Sequence, residues 1–186
     1  PIFFVKHIIS RRNFLKAVGV TAAASAMAAA VPQASAGFLT GKDAAVTILY
    51  TNDVRTYIDN KSPKLTYAAI AAMKQGYVDE GKPVLLVDAG DHIQGTAYGS
   101  MDDGATIIEL MNEAGYDIAT LGNHEFDYGM ARAKAIIKEA DFPYVSCNWV
   151  DLRTGLRVLP AVKLFPAGGK WIAFVGITTP ESFTKS

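Results

Sequence analysis

Eight residues, Gly122-Asn123-His124-Glu125-Phe126-Asp127-Tyr128-Gly129, set an amide, an imidazole and two carboxylates between bounding glycines. They follow the apolar run 117–121, which reads as a buried strand. In an open α/β sheet, ligands sit beyond the carboxyl ends of the strands, so polar groups crowded there suit a site better than a core. Asp53, Asp91 and Asn148 close three other strand-like runs. A single Asp or Asn in such a place makes a turn or a cap. Recurrence after successive strands of one sheet points to chemistry instead. Carboxylate, amide and imidazole donors suit hard or borderline divalent cations such as Mn²⁺, Zn²⁺, Fe²⁺ or Mg²⁺, not copper(I) or iron-sulfur clusters.

The elements that must position these groups alternate along the chain. Residues 45–51 form a β-rich run that ends at Asn52-Asp53. Ser62-Pro63 supplies a cap and a first-turn proline for a helix over 64–79, in which Leu65, Ala68, Ala69, Ala72 and Met73 recur at helical spacing. Residues 84–87 are a second strand running into Asp88-Ala89-Gly90-Asp91; Gly104 leads into a helix over 105–114, and Gly115 ends it before the third strand at 117–121. A helix over 131–140 precedes Pro143, which introduces a fourth strand through Cys147. Runs 161–165 and 171–176 flank Pro166-Ala167-Gly168-Gly169 and read as a β-hairpin. Strand and helix in alternation, with short links, predict an α/β fold: a mostly parallel sheet covered by helices, followed by an antiparallel hairpin.

The 186 residues are half hydrophobic and carry no formal net charge, enough for one domain with a real core. Residues 1–36 hold Lys6, Arg11, Arg12 and Lys16 and no acid, so 37–186 carry 14 basic against 18 acidic residues. That balance argues against a nucleic-acid polymer as partner. Cys147 is the one cysteine, which excludes an internal disulfide and a thiolate metal cluster, and its strand-like setting predicts a buried, inert thiol. Ser10-Arg11-Arg12-Asn13-Phe14-Leu15-Lys16, the alanine-rich run 17–31 and Ala34-Ser35-Ala36 have the basic, apolar and small-residue regions of a cleaved export signal. The segment resembles a bacterial twin-arginine signal. The resemblance implies an export translocon as partner and a periplasmic, extracellular or cell-surface destination. The apolar run is too short and too alanine-rich for a stable membrane span. Residues 37–44 then read as a linker and 45–186 as the folded portion.

Together with Asn52-Asp53, Gly90-Asp91-His92-Ile93-Gln94-Gly95-Thr96 and Gly176-Ile177-Thr178-Thr179-Pro180-Glu181, the octet resembles the calcineurin-like metallophosphoesterases, in the form found in the 5'-nucleotidase and UDP-sugar hydrolase family. The resemblance runs in family order over nearly all the chain from Ala45. It implies a four-layer α-β-β-α metallophosphatase sandwich, of which 45–186 is the N-terminal half. It also implies two divalent metal ions (Mn, Zn, Fe, Mg or Ca), with Asp53 on the first, Asp91 bridging both and Asn123 on the second. Such a pair orients a phosphate ester, lowers the pKa of a bound water and neutralises charge in an in-line displacement. His124 matches the family's catalytic histidine, which stabilises the leaving group or donates a proton to it, and Asp127 matches its partner. His92 reads as a turn or supporting residue. The implied substrate is a nucleotide or nucleotide sugar; no substrate-binding residue is identifiable, because the family's base-stacking aromatics lie in a later C-terminal domain.

Two departures stand out. Arg55 occupies the place of the histidine in the family's Asp-x-His motif, and a guanidinium has no lone pair to offer a metal. The family's later histidine motifs have no counterpart, the chain's histidines being His7, His92 and His124. The expectation is an incomplete catalytic domain, inactive alone, from an exported nucleotide-hydrolysing enzyme. Alternatives are an exported dimanganese thiosulfohydrolase of the same superfamily, or a ligand-binding pseudoenzyme in which Arg55 has ended the chemistry.

Overall fold

The computed structural model describes residues 45–57, 66–179 and Ser182. The expected export segment, the expected linker and Ser62-Pro63 lie outside the described residues.

Three parallel strands, β1 (Thr47–Thr51), β2 (Val84–Asp88) and β3 (Ile118–Ala119), form a sheet in the order β1-β2-β3. The register sets Thr51 beside Asp88 and Asp88 beside Ala119, so the loops that leave the three strands emerge along one edge. That alignment carries Asp53, Asp91 and the octet to a common border. β3 is shorter than the apolar run 117–121 predicts. The expected fourth strand through Cys147 is reduced to one parallel bridge, Ala119 with Tyr144, because Ser146 and Cys147 turn their amides to Pro160 and Gly176 instead of extending the ladder. Cys147 is correspondingly half-buried, not enclosed.

The helices are α1 (Tyr67–Asp79), the short α2 (Ala97–Ser100), α3 (Ala105–Ala114) and α4 (Gly129–Glu139). α1 starts later than the expected residue 64: Thr66 is extended, and its side chain accepts the amide of Ala69, which makes it the N-cap. In α3, Ile107, Ile108, Met111 and Ala114 are buried at helical spacing between α1 and α4. Gly115 ends it in the left-handed conformation that a side chain resists. Lys74 of α1 pairs with Asp117 at 2.8 Å, and the same carboxylate accepts the Leu86 amide at 2.7 Å, tying helix and sheet together just before β3.

β4 (Val162–Ala167) and β5 (Lys170–Val175) form the expected antiparallel hairpin, slightly longer than its sequence pattern. Gly168 and Gly169 both have positive φ, 57° and 73°, as a two-residue turn matched to strand twist requires. The segment after β5 returns to the parallel sheet, where Gly176 passes so close to Val145 that an added Cβ would lie 2.0 Å from its carbonyl oxygen.

Candidate active site

Three loops meet at the carboxyl edge: 52–57 after β1, 89–96 after β2 and 120–128 after β3. The Asp53 amide donates to Gly90 O and the Arg55 amide to Asp91 O, both at 3.0 Å, which stitches the first loop to the second. The second and third are joined by side chains. The Asp91 carboxylate accepts the His124 amide at 2.9 Å. A Cβ on Gly122 would lie 2.2 Å from that carboxylate, and one on Gly90 would lie 2.3 Å from the Gly122 nitrogen, so the contact needs two bare backbones. Asp53, Arg55, Thr56 and Asp91 all adopt positive φ, between 52° and 61°. Non-glycine residues held there cost on the order of 1–3 kcal/mol each and concentrate where function demands a particular geometry.

Glu125, to which the sequence reading gives no role, is the keystone. It is fully buried, and one carboxylate oxygen accepts the amides of Gly122 at 2.6 Å and Asp91 at 2.9 Å. The other accepts the amides of His92 at 2.7 Å and Ile93 at 3.4 Å. A second buried carboxylate, Asp88, accepts Thr51 Oγ1 at 2.5 Å, the Gly90 amide at 2.8 Å and His92 Nδ1 at 2.8 Å. Burial works against a charged His92, but Glu125, Asp88 and the more distant Asp91 outweigh it and raise the imidazole to about 9. His92 Nδ1 lies 2.8 Å from Asp88 Oδ1 and Nε2 2.8 Å from Tyr144 Oη, so both ring nitrogens are engaged inside the protein. Neither nitrogen is free to face a metal ion. The sequence signature of Glu125 is slight: an acid beside Phe126, whose own side chain is 2% exposed.

His124 opens the one-turn 3₁₀ helix His124–Phe126 and Asp127 follows it, and His124 Nδ1 lies 2.5 Å from Asp127 Oδ2. Both side chains are partly accessible, at 17% and 19%, as groups that must meet a substrate need to be. Asn123 is also half-buried, immediately before that turn. Asn148 departs from the pattern. Its amide donates to Thr178 O at 2.6 Å and accepts the Thr178 amide at 2.9 Å, so it anchors the return from the hairpin instead of facing a ligand.

The two-cation centre implied by the resemblance meets these residues halfway. Asp91 and Asn123 are a carboxylate and an amide on adjoining loops, Asp91 accepting the amide of His124, the residue after Asn123, and such donors suit a hard divalent cation. At Asp53 the fit fails: the Arg55 guanidinium stands 3.6 Å from its carboxylate. Among the described residues, no group of three or more His, Cys, Asp or Glu forms a metal-binding array.

Comparison with known proteins agrees with this architecture. The calcineurin-like phosphoesterase profile matches residues 32–183. Human 5'-nucleotidase is 34% identical over 155 residues, covering 74% of this chain and 27% of its own. The crystal structure of a 5'-nucleotidase precursor from Thermus thermophilus superposes with a TM-score of 0.65 at 30% identity, over 74% of this chain and 29% of that one. The Haemophilus influenzae NAD nucleotidase gives 0.65 at 25% identity, over 75% and 27%. The chain thus spans about a quarter of the length of the curated relatives it matches. A parallel sheet whose strand ends converge on Asp91, the octet and the His124–Asp127 pair, matched over most of its length by that profile, makes this chain a member of the calcineurin-like phosphoesterase family.

Proposed function

We propose that this chain is the N-terminal half of the catalytic domain of a hydrolase that cleaves phosphate ester or anhydride bonds in nucleotides or nucleotide sugars. The observation that carries the reading is the junction of Asp91 with the octet: one carboxylate held by the His124 amide at 2.9 Å, beside an imidazole held by Asp127 at 2.5 Å. His124 is the group that protonates or stabilises the departing oxygen. Asp127 is a positioning residue that fixes the ring through His124 Nδ1.

The family normally works with two divalent metal ions. Asp91 and Asn123 would hold one of them, and Asp53, which faces Arg55 at 3.6 Å, belongs to the place of the other. Such an ion, when bound, supplies Lewis-acid polarisation of the phosphoryl group and an activated water. Support for nucleotides comes from the likeness to 5'-nucleotidases. The full-length polypeptide should release inorganic phosphate from a nucleoside 5'-monophosphate with added Mn²⁺, and a chelator should abolish the release. Turnover of a thiosulfate ester without nucleotide turnover would favour the thiosulfohydrolase alternative. Nucleotide binding without hydrolysis would mark a pseudoenzyme.

Residues 1–36 are the export signal of this reading and 37–44 the linker, on the strength of Arg11-Arg12 and the alanine-rich run behind them. Among the described residues no helix is long and apolar enough to cross a membrane. Changing Arg11 and Arg12 together to Lys should hold the precursor in the cytoplasm; undiminished export of that variant would refute the twin-arginine reading.

A further inference from the structure

Arg55 is the element of the site that a two-cation centre leaves without a purpose. Its backbone is immobilised by neighbours on both sides. The amide donates to Asp91 O at 3.0 Å, and Gly95 packs so tightly against it that an added Cβ would lie 2.2 Å from the Arg55 carbonyl oxygen. Thr56, next in the chain, is fully buried, and its hydroxyl lies 2.7 Å from that of Thr96. The root of the Arg55 side chain is therefore fixed beside Asp91 at the carboxyl ends of β1 and β2.

The tip is placed differently. The guanidinium faces Asp53 at 3.6 Å, near enough for charge to act and too far for a hydrogen bond. It neutralises the carboxylate without spending its donors there. Arg55 keeps 31% of its side chain exposed and Asp53 keeps 54%, so the pair borders solvent. A guanidinium is charged at every working pH, has no lone pair for a metal, and presents a planar fork of donors that matches two phosphate oxygens at once.

We infer that Arg55 takes the place of a metal ion at Asp53: this edge binds one divalent cation, at Asp91 and Asn123, and Arg55 itself binds the phosphoryl group of the substrate. The inference rests on the phosphohydrolase reading above and deepens it. A second cation at Asp53 would have to sit against a fixed positive charge while competing with it for the same carboxylate. A phosphate dianion, by contrast, gains from both the remaining cation and the fork.

Metal content and phosphate affinity test this without relying on turnover. The full-length polypeptide, stripped and then dialysed against Mn²⁺, should retain one ion per chain by elemental analysis. Arg55→His, which removes the permanent charge and supplies an imidazole, should retain two. Arg55→Lys preserves the charge and loses the fork; it should stay at one ion, and its affinity for inorganic phosphate by calorimetry should fall about 10- to 100-fold, the worth of a charged hydrogen bond. The side chain is partly exposed and the loop is held through its backbone, so both variants should keep the parent's thermal unfolding midpoint. The same ion count in the parent and Arg55→His, or equal phosphate affinity in the parent and Arg55→Lys, overturns the inference and leaves the hydrolase reading standing. Failure of all three proteins to bind either Mn²⁺ or phosphate overturns both.

Discussion

Glu125→Ala is expected to lower stability by about 3–5 kcal/mol, the usual consequence of breaking a buried charged network from one side. The loss has two parts. Amides of Gly122, Asp91, His92 and Ile93 would lose their acceptor inside the protein, and a stranded buried donor costs about 1–3 kcal/mol when nothing replaces the partner. His92, whose imidazole is raised to about 9 in part by Glu125, would also lose the carboxylate that lies 3.5 Å away. Glu125→Gln should be nearly as damaging, because one of the two oxygens that each serve a pair of amides becomes an NH₂ that faces donors. Against a typical reserve of about 5–15 kcal/mol, either change brings the domain close to unfolding. Trp149, which packs edge-on to Phe126 with ring centroids 5.2 Å apart, reports on the affected region, so the urea midpoint followed by its fluorescence gives the answer. A midpoint shift worth less than about 1 kcal/mol would show that the clamp is dispensable.

His124→Asn should act on the chemistry and hardly on the fold. Positioned proton transfer contributes about 10²- to 10⁴-fold, and kcat for a nucleoside monophosphate should drop by that amount. The His124 contact with Asp91 runs through the backbone amide and survives the substitution, so the urea midpoint should stay near the parent value. Asp127→Asn removes the charge beside His124 Nδ1 and leaves a neutral partner, and it should lower kcat less than loss of the ring itself. Unchanged turnover in His124→Asn would remove His124 from the mechanism.

What is legible in the sequence follows from the range of the forces involved. β1, β2, α3 and the hairpin declare themselves through short-range signals: β-rich runs, apolar residues at helical spacing, a Gly at either end of α3 and a Gly-Gly turn. The fourth strand fails because its amides find partners at Pro160 and Gly176, a competition between distant segments that no local pattern records. Asn148 looks like a member of the polar edge, yet its amide is committed to Thr178, 30 residues away. Glu125 is hidden for the same reason, since three of its four amide donors lie 32 to 34 residues earlier in the chain. The left-handed conformations of Asp53, Arg55, Thr56 and Asp91 are equally invisible, because intrinsic preference opposes them and only the crossing of three loops imposes them. The His124–Asp127 pair is legible as a spacing; its closeness is a property of the 3₁₀ turn that carries it.

The central claim, that His124 serves a departing oxygen at a phosphohydrolase centre, is tested most directly by varying the leaving group. A nucleoside 5'-monophosphate expels a basic alkoxide that needs a proton, whereas a nitrophenyl phosphate expels a phenolate stable enough to leave without one. The measurement is the ratio of kcat for parent and His124→Asn full-length protein on each substrate, under the same Mn²⁺ concentration. The nucleotide ratio should be about 10²- to 10⁴-fold, and the nitrophenyl ratio should fall within about 10-fold of unity. Equal ratios on the two substrates would contradict that role for His124.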